Sequence, residues 1–282
     1  MKLNFIKPTY AIQVSLVGCQ LEVKCNDTHV FEYKSKSSQK GNGLSITVPI
    51  NHLLLKNDVF TITAKVLPVH GKDTLKRSAY AQIQIVMLDY VAPNETNTAL
   101  FTTETPSQTT ENDEIKPKID LEGLPFYILK AGATASILPY SLTGWMDSID
   151  FSSLNRQKLL TDTYHFYKKV INYIDQKDIV SFSKITQEQN TLLEIAYYYG
   201  SREIKREKQQ LENIFNETGL QVVPFNFEDI EMEFMGTNNQ LLRLKRRNGF
   251  PILMLYNPIN QKTIKLDLKL QKKTLEAPLS II

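Results

Sequence analysis

Hydrophobic and polar positions alternate in short runs through the first 92 residues, and turn residues separate the runs. In residues 19–25, Cys19, Leu21, Val23 and Cys25 fall on one side and Gln20, Glu22 and Lys24 on the other, the period of two that marks a half-buried strand. Runs of the same kind occupy residues 12–17, 30–33, 44–50, 59–67 and 80–90. Asn26-Asp27 supplies a turn, and a Ser/Lys/Gly loop covers residues 35–43. Short strands at this spacing, with no helical period between them, predict an antiparallel β-sandwich over residues 1–92.

The pattern then changes twice. Residues 93–119 are rich in Thr, Asn, Glu and Pro and poor in apolar residues, which predicts a polar linker. Residues 120–282 predict an α+β domain. After a strand at 124–129 and an irregular stretch at 132–145, helical spacing begins, with Ser152/Ser153 as the expected N-cap. Leu159, Tyr164 (or Thr163), Tyr167, Val170, Ile171 and Ile174 share one face of that helix. A short helix follows at 178–184. A longer one runs over 188–217, broken at Gly200-Ser201, with Gly219 as its cap.

The last sixty residues return to a period of two. A loop at Thr237-Asn238-Asn239 sets Phe234 opposite Leu242 and Met232 opposite Leu244 on one face. It sets Glu233 opposite Arg243, Glu231 opposite Lys245 and Asp229 opposite Arg247 on the other. Asn248-Gly249 is a strong hairpin signal, and it brings Leu253 and Leu255 beside Leu244 and Leu242. A turn at 258–261 adds Ile264, Leu266 and Leu268. The expectation is a curled antiparallel four-stranded meander with helices packed on its leucine-rich face.

Two stretches resemble known families. SITVPINHLLLKNDVFTITAKV is similar to the closing strands of galactose-binding-like jelly-roll domains, which implies a domain that binds glycans or buttresses a neighbour. Helices followed by a meander, over residues 153–270, resemble the cone of the nuclear-transport-factor and cystatin-like superfamily. The chain departs from many members of that group in having no predicted strand pair between Lys184 and Leu211.

Charge modifies the picture. The net charge of +3 hides an uneven spread: residues 1–92 carry +5, residues 93–240 carry −9 and residues 241–282 carry +7. Opposite charges that meet in the fold account for this, as does a basic tail for nucleic acid. Lysine exceeds arginine 26 to 7, the bias of an AT-rich bacterial genome, and arginine is the residue that reads bases and phosphates bidentately. No run reaches the roughly 18 apolar residues of a membrane helix.

Leu16-Val17-Gly18-Cys19 has the form of a lipoprotein box, but Lys7-Pro8-Thr9 and Gln13 interrupt the apolar run that such a signal needs. A disulfide between Cys19 and Cys25 is excluded on one strand. Six residues span about 20 Å, and disulfide Cα atoms lie within about 7 Å. Two small buried thiols suit a reducing, cytoplasmic setting.

Candidate chemistry is sparse. The basic run at 244–247 suggests phosphate binding and the acidic run Glu228, Asp229, Glu231, Glu233 suggests a metal. Cross-strand ion pairs among Asp229, Glu231, Glu233, Arg243, Lys245 and Arg247 account for both. The four histidines are scattered without ligand spacing, so neither a metal nor a cofactor is expected. His165, near Asp162 and Tyr164, is the one acid–base candidate. Tyr197, Tyr198 and Tyr199 on one helix cannot all face a core, since successive side chains diverge by about 100°. With Trp145 they are the candidate anchors for a protein partner. The functional expectation is a non-catalytic binding module resembling, in architecture, bacterial accessory or immunity proteins that neutralise a secreted toxin. The alternatives are a small-ligand or glycan-binding protein, or an enzyme using a cone pocket.

Overall fold

A computed structural model of the chain describes residues 5–40, 43–92, 97–106, 108–111, 114–117 and 120–282. Contacts divide the chain into two compact units, Met1–Ser141 and Leu142–Ile282. The first is all β; the second combines four helices with small antiparallel sheets.

The strands of the first unit are β1 (Pro8–Val17), β2 (Gln20–Cys25), β3 (Thr28–Tyr33), β4 (Leu44–Pro49), β5 (Asp58–Leu67), β6 (Tyr80–Asp89), β7 (Asn97–Glu104), β8 (Gln108–Glu111), β9 (Glu114–Pro117) and β10 (Tyr127–Ala135). Two four-stranded sheets form, in the orders β4-β1-β6-β7 and β10-β5-β2-β3, and β8 and β9 make a separate hairpin. Their inner faces meet where Tyr10 of β1 packs edge-on against Phe60 of β5, ring centres 6.0 Å apart. The β2 alternation holds to the residue: Leu21, Val23 and Cys25 are fully buried and their neighbours half-exposed. Asn26 and Asp27 both take left-handed backbone angles, the requirement of a tight two-residue hairpin. Inside the sandwich the Asn51 amide replaces missing ladder partners. Its Oδ1 accepts from the Tyr10 N–H at 2.7 Å and its Nδ2 donates to the Pro8 carbonyl at 3.0 Å.

Residues 93–119 were expected to leave the sandwich. Within that span β7 pairs with β6, and beyond it β10 pairs with β5. An edge strand has one hydrogen-bonded flank and need not present a strong apolar face. The sequence NTALFTTE, with Phe101 and most of its neighbours exposed, therefore carries no burial signal.

The second unit contains α1 (Arg156–Asp175), α2 (Ile179–Ile185), α3 (Gln187–Ala196) and α4 (Ser201–Asn216). Its strands are β11 (Gln221–Val222), β12 (Ile230–Met235), β13 (Leu241–Arg246), β14 (Leu253–Asn257), β15 (Lys262–Leu266), β16 (Leu270–Gln271) and β17 (Ser280–Ile281). The N-cap of α1 is Asn155, whose Oδ1 accepts from the Lys158 N–H. The expected caps, Ser152 and Ser153, instead belong to a short 3-10 turn that inserts Phe151 into the core.

The β12–β13 register is the expected one, with Met232 opposite Leu244, Glu233 opposite Arg243 and Phe234 opposite Leu242. The four-stranded meander is corrected. The turn at Asn248-Gly249 forms, but β13 and β14 share only the bridge Lys245–Pro251. Pro251 has no N–H to extend a ladder. The chain swings away, and β14 joins β11 and β15 in one sheet. The Arg246 guanidinium fills the gap by donating to the Val223, Pro224 and Ile252 carbonyls. The vacated edge of β13 pairs with β16, giving the order β12-β13-β16-β17. Tyr167, Val170, Phe182, Phe215, Leu244 and Leu270 sit at the centre of the core that joins helices to sheets.

Candidate functional site

A groove of about 810 Å³ opens on the second unit between α1, α2, α3 and the segment around β17. On α1, Phe166, Lys169 and Tyr173 face it at helical spacings of three and four. From α2 come Ser181, Lys184 and Ile185. The opposite wall is α3, with Glu188, Leu192 and Ile195, and Leu279 and Ile282 close the lower edge. Thr186 sets the angle between α2 and α3: its hydroxyl donates to the Phe182 carbonyl at 3.0 Å, and the Asn190 amide reaches that hydroxyl at 3.4 Å. The Gln189 amide donates to the Ile282 carbonyl at 3.3 Å, which holds α3 against the C-terminal segment.

Electrostatically the groove leans positive. Glu188 is its one acid, and Lys273 neutralises it at 2.7 Å while the Ser280 hydroxyl donates to it at 3.3 Å. Among the described residues, neither Lys169 nor Lys184 has a carboxylate within ion-pair distance; Lys169 lies 5.8 Å from the centre of the Tyr173 ring. Ile195 remains 41% exposed at the rim.

The residues expected to carry function lie elsewhere. His165 is an exposed residue of α1, beside Tyr164, and does not line the groove. Trp145 is 9% exposed, in a loop that hydrogen-bonds along the β12–β13 hairpin through Gln240 and Asn239. Gly236, in a left-handed conformation, is the residue that comes up against its indole. The tyrosines are not consecutive on a helix. α3 ends at Ala196, Tyr198 takes a left-handed angle of +57°, and Tyr197 and Tyr199 stack at 6.2 Å. All three are half-buried in the turn before α4.

The charged run of β12 and β13 is more deeply embedded than cross-strand pairing alone implies. Arg243 is 4% exposed; its Nε and Nη2 hold Glu233 at 2.9 and 2.8 Å, and its Nη1 donates to Asp267 at 2.7 Å. Burial opposes the charge on Arg243, but the two carboxylates outweigh it and hold its pKa above the ordinary value. Lys245 reaches Glu233 at 3.5 Å rather than the directly opposite Glu231. Lys269, 4.0 Å from Asp267, is pushed below the usual lysine range by burial. The Tyr167 hydroxyl donates to the Leu268 carbonyl and accepts from the Leu244 N–H; burial drives its pKa upward. Asp229 and Arg247 meet through backbone alone, the Arg247 N–H donating to the Asp229 carbonyl. Arg243 and, within the basic run, Lys245 and Arg246 are thus committed to internal partners.

Among the described residues, no cluster of three or more His, Cys, Asp or Glu is placed to hold a metal, and no helix is long and apolar enough to cross a membrane. Comparison with protein-family models, with curated proteins and with solved structures gives no match to this chain. What the sequence missed was the groove itself. Phe166, Lys169 and Tyr173 form one helical stripe beside the core face, but the opposite wall is set by the turn between α2 and α3 and the lower edge comes from residues 278–282, more than 100 positions on.

Proposed function

We propose that the chain is a non-catalytic protein-binding module and that the groove on the second unit is where its partner docks. The observation that carries this reading is the lining: apolar side chains on two helical walls, Phe166 and Tyr173 facing Leu192 and Ile195, interspersed with the polar groups of Lys169, Glu188 and Thr191. Its one acid is already neutralised, and the residues that line it include no histidine or cysteine. Such a surface favours binding over acid–base or nucleophilic chemistry. The two buried free thiols favour a reducing compartment. The biological role we put forward is that of an accessory or immunity protein that neutralises a toxin, in keeping with the chain's two-unit, motif-poor character.

The size of the groove, within the roughly 300–1,000 Å³ typical of small-molecule clefts, favours a ligand-binding protein as the second reading. The test is co-expression of the full chain with each protein encoded beside its gene. One neighbour is expected to co-purify with the native chain and not with Ile195→Asp, and its toxicity to be relieved only by the former. Absence of any Ile195-dependent partner among the neighbours refutes the reading.

A further inference from the structure

Resting on the reading of the groove as the docking site, we propose that its occupant is an amphipathic α-helix of the partner, apolar on one face and acidic along an edge. Three observations select this occupant. The first is length. Phe166 to Tyr173 spans seven residue steps of α1 and Glu188 to Ile195 seven of α3, so each wall runs about 10 Å at roughly 1.5 Å per residue. That matches the two turns spanned by anchors at i, i+3 or i+4, and i+7 in helix-in-groove recognition.

The second observation is the character of the walls. They are helix side chains rather than strand backbone, and β17, the edge strand at this site, is two residues long. An extended peptide would find almost no unpaired backbone to add to. The third is charge. With Glu188 neutralised by Lys273, Lys169 and Lys184 leave two ammonium groups with no carboxylate at ion-pair distance among the described residues, in a lining that also holds Phe166, Leu192 and Ile195. Acidic side chains flanking the apolar anchors complement them, and a basic helix is repelled.

The full chain is used to select from a displayed library of random peptides about 16 residues long, roughly four helical turns. Enriched peptides are expected to carry apolar residues at i, i+3 or i+4, and i+7, with Asp or Glu beside them. A synthetic copy is expected to gain helical circular dichroism on binding. Its affinity should fall roughly tenfold or more for the double variant Lys169→Glu/Lys184→Glu and be lost with Ile195→Asp. All three positions are exposed, so unchanged melting temperatures of the variants exclude misfolding as the cause. Enriched peptides that are basic or Pro-rich, yet lost with Ile195→Asp, overturn the acidic helix and leave the groove as the docking site. Selection of no Ile195-dependent peptide overturns both.

Discussion

The two units bury their polar groups by different means. In the first, buried polar side chains stand in for backbone. Asn51 completes the ladder at β1, and Asp89 accepts from the Ile6, Lys7 and Val91 N–H groups. In the second, formal charges are buried against one another, with Arg243 between Glu233 and Asp267. The sandwich keeps its large apolar faces inside, whereas the α+β unit leaves an apolar groove open beside α1 and α3. The contrast places the open apolar surface on the second unit, the one proposed to meet a partner.

The largest expected effect that sharpens this comparison is at Arg243. Arg243→Ala removes the central cation between two half-buried carboxylates and leaves them only the longer contacts to Lys245 and Lys269, which costs about 3–5 kcal/mol. Hydrogen exchange should collapse over β12, β13 and β16 while β1 and β6 keep their protection. Equal loss in both units would erase the distinction drawn here. Replacing Arg243→Met, Glu233→Gln and Asp267→Asn together should recover part of the loss, because no carboxylate is then stranded, while Lys245 and Lys269 lose their partners and limit the recovery.

Asn51→Ala is the corresponding lesion in the sandwich. It removes the acceptor of the Tyr10 N–H and one donor to the Pro8 carbonyl in a fully buried site, at a cost of about 1–3 kcal/mol. Denaturant unfolding followed at the first unit measures it, and a change below about 0.5 kcal/mol would mean that the amide is dispensable.

A smaller effect concerns pH. Burial raises the Asp89 carboxyl, but three backbone N–H donors outweigh it and hold its pKa below the usual carboxylate range. A depressed folded pKa adds stability that is present at neutral pH and lost as pH falls through that value. Acid titration of the native chain should therefore show a loss in the first unit that Asp89→Asn abolishes. Persistence of the same acid loss in Asp89→Asn would assign it to another group.

Smallest in energy, yet simple to read, is the state of the thiols. Burial pushes Cys19 up to about 11 and Cys25 up to about 12. Neither should react with a thiol reagent at pH 8 in the folded chain, and both should react on unfolding. Rapid native modification of either would place it at the surface.

Much of the fold was legible because its burial is one-sided. The β2 alternation, the Asn26-Asp27 turn and the β12–β13 register each follow from a period of two and a local turn. Illegible were the features that depend on distant partners. The polar strand β7 joins the sandwich through backbone that any sequence supplies. Pro251 diverts a hairpin that Asn248-Gly249 announces. Arg243 reads as a surface cation until Asp267 and Lys269 are folded over it. The candidate site was not legible, because its lining comes together only when α1, α2, α3 and residues 278–282 pack. The helical divergence expected of Tyr197, Tyr198 and Tyr199 does not apply, because α3 ends at Ala196 and the three lie half-buried in the turn before α4, while Trp145 lies in a loop beside the β12–β13 hairpin.

The groove, and not the sandwich, is the surface proposed to meet the partner. Hydrogen exchange of the full chain, with and without a peptide or protein that it binds, tests this directly. The expected result is new protection in α1, α3 and residues 278–282, with the sandwich strands unchanged and no protection gained in Ile195→Asp. Protection gained on the sandwich strands, with α1 and α3 unaltered, would contradict it.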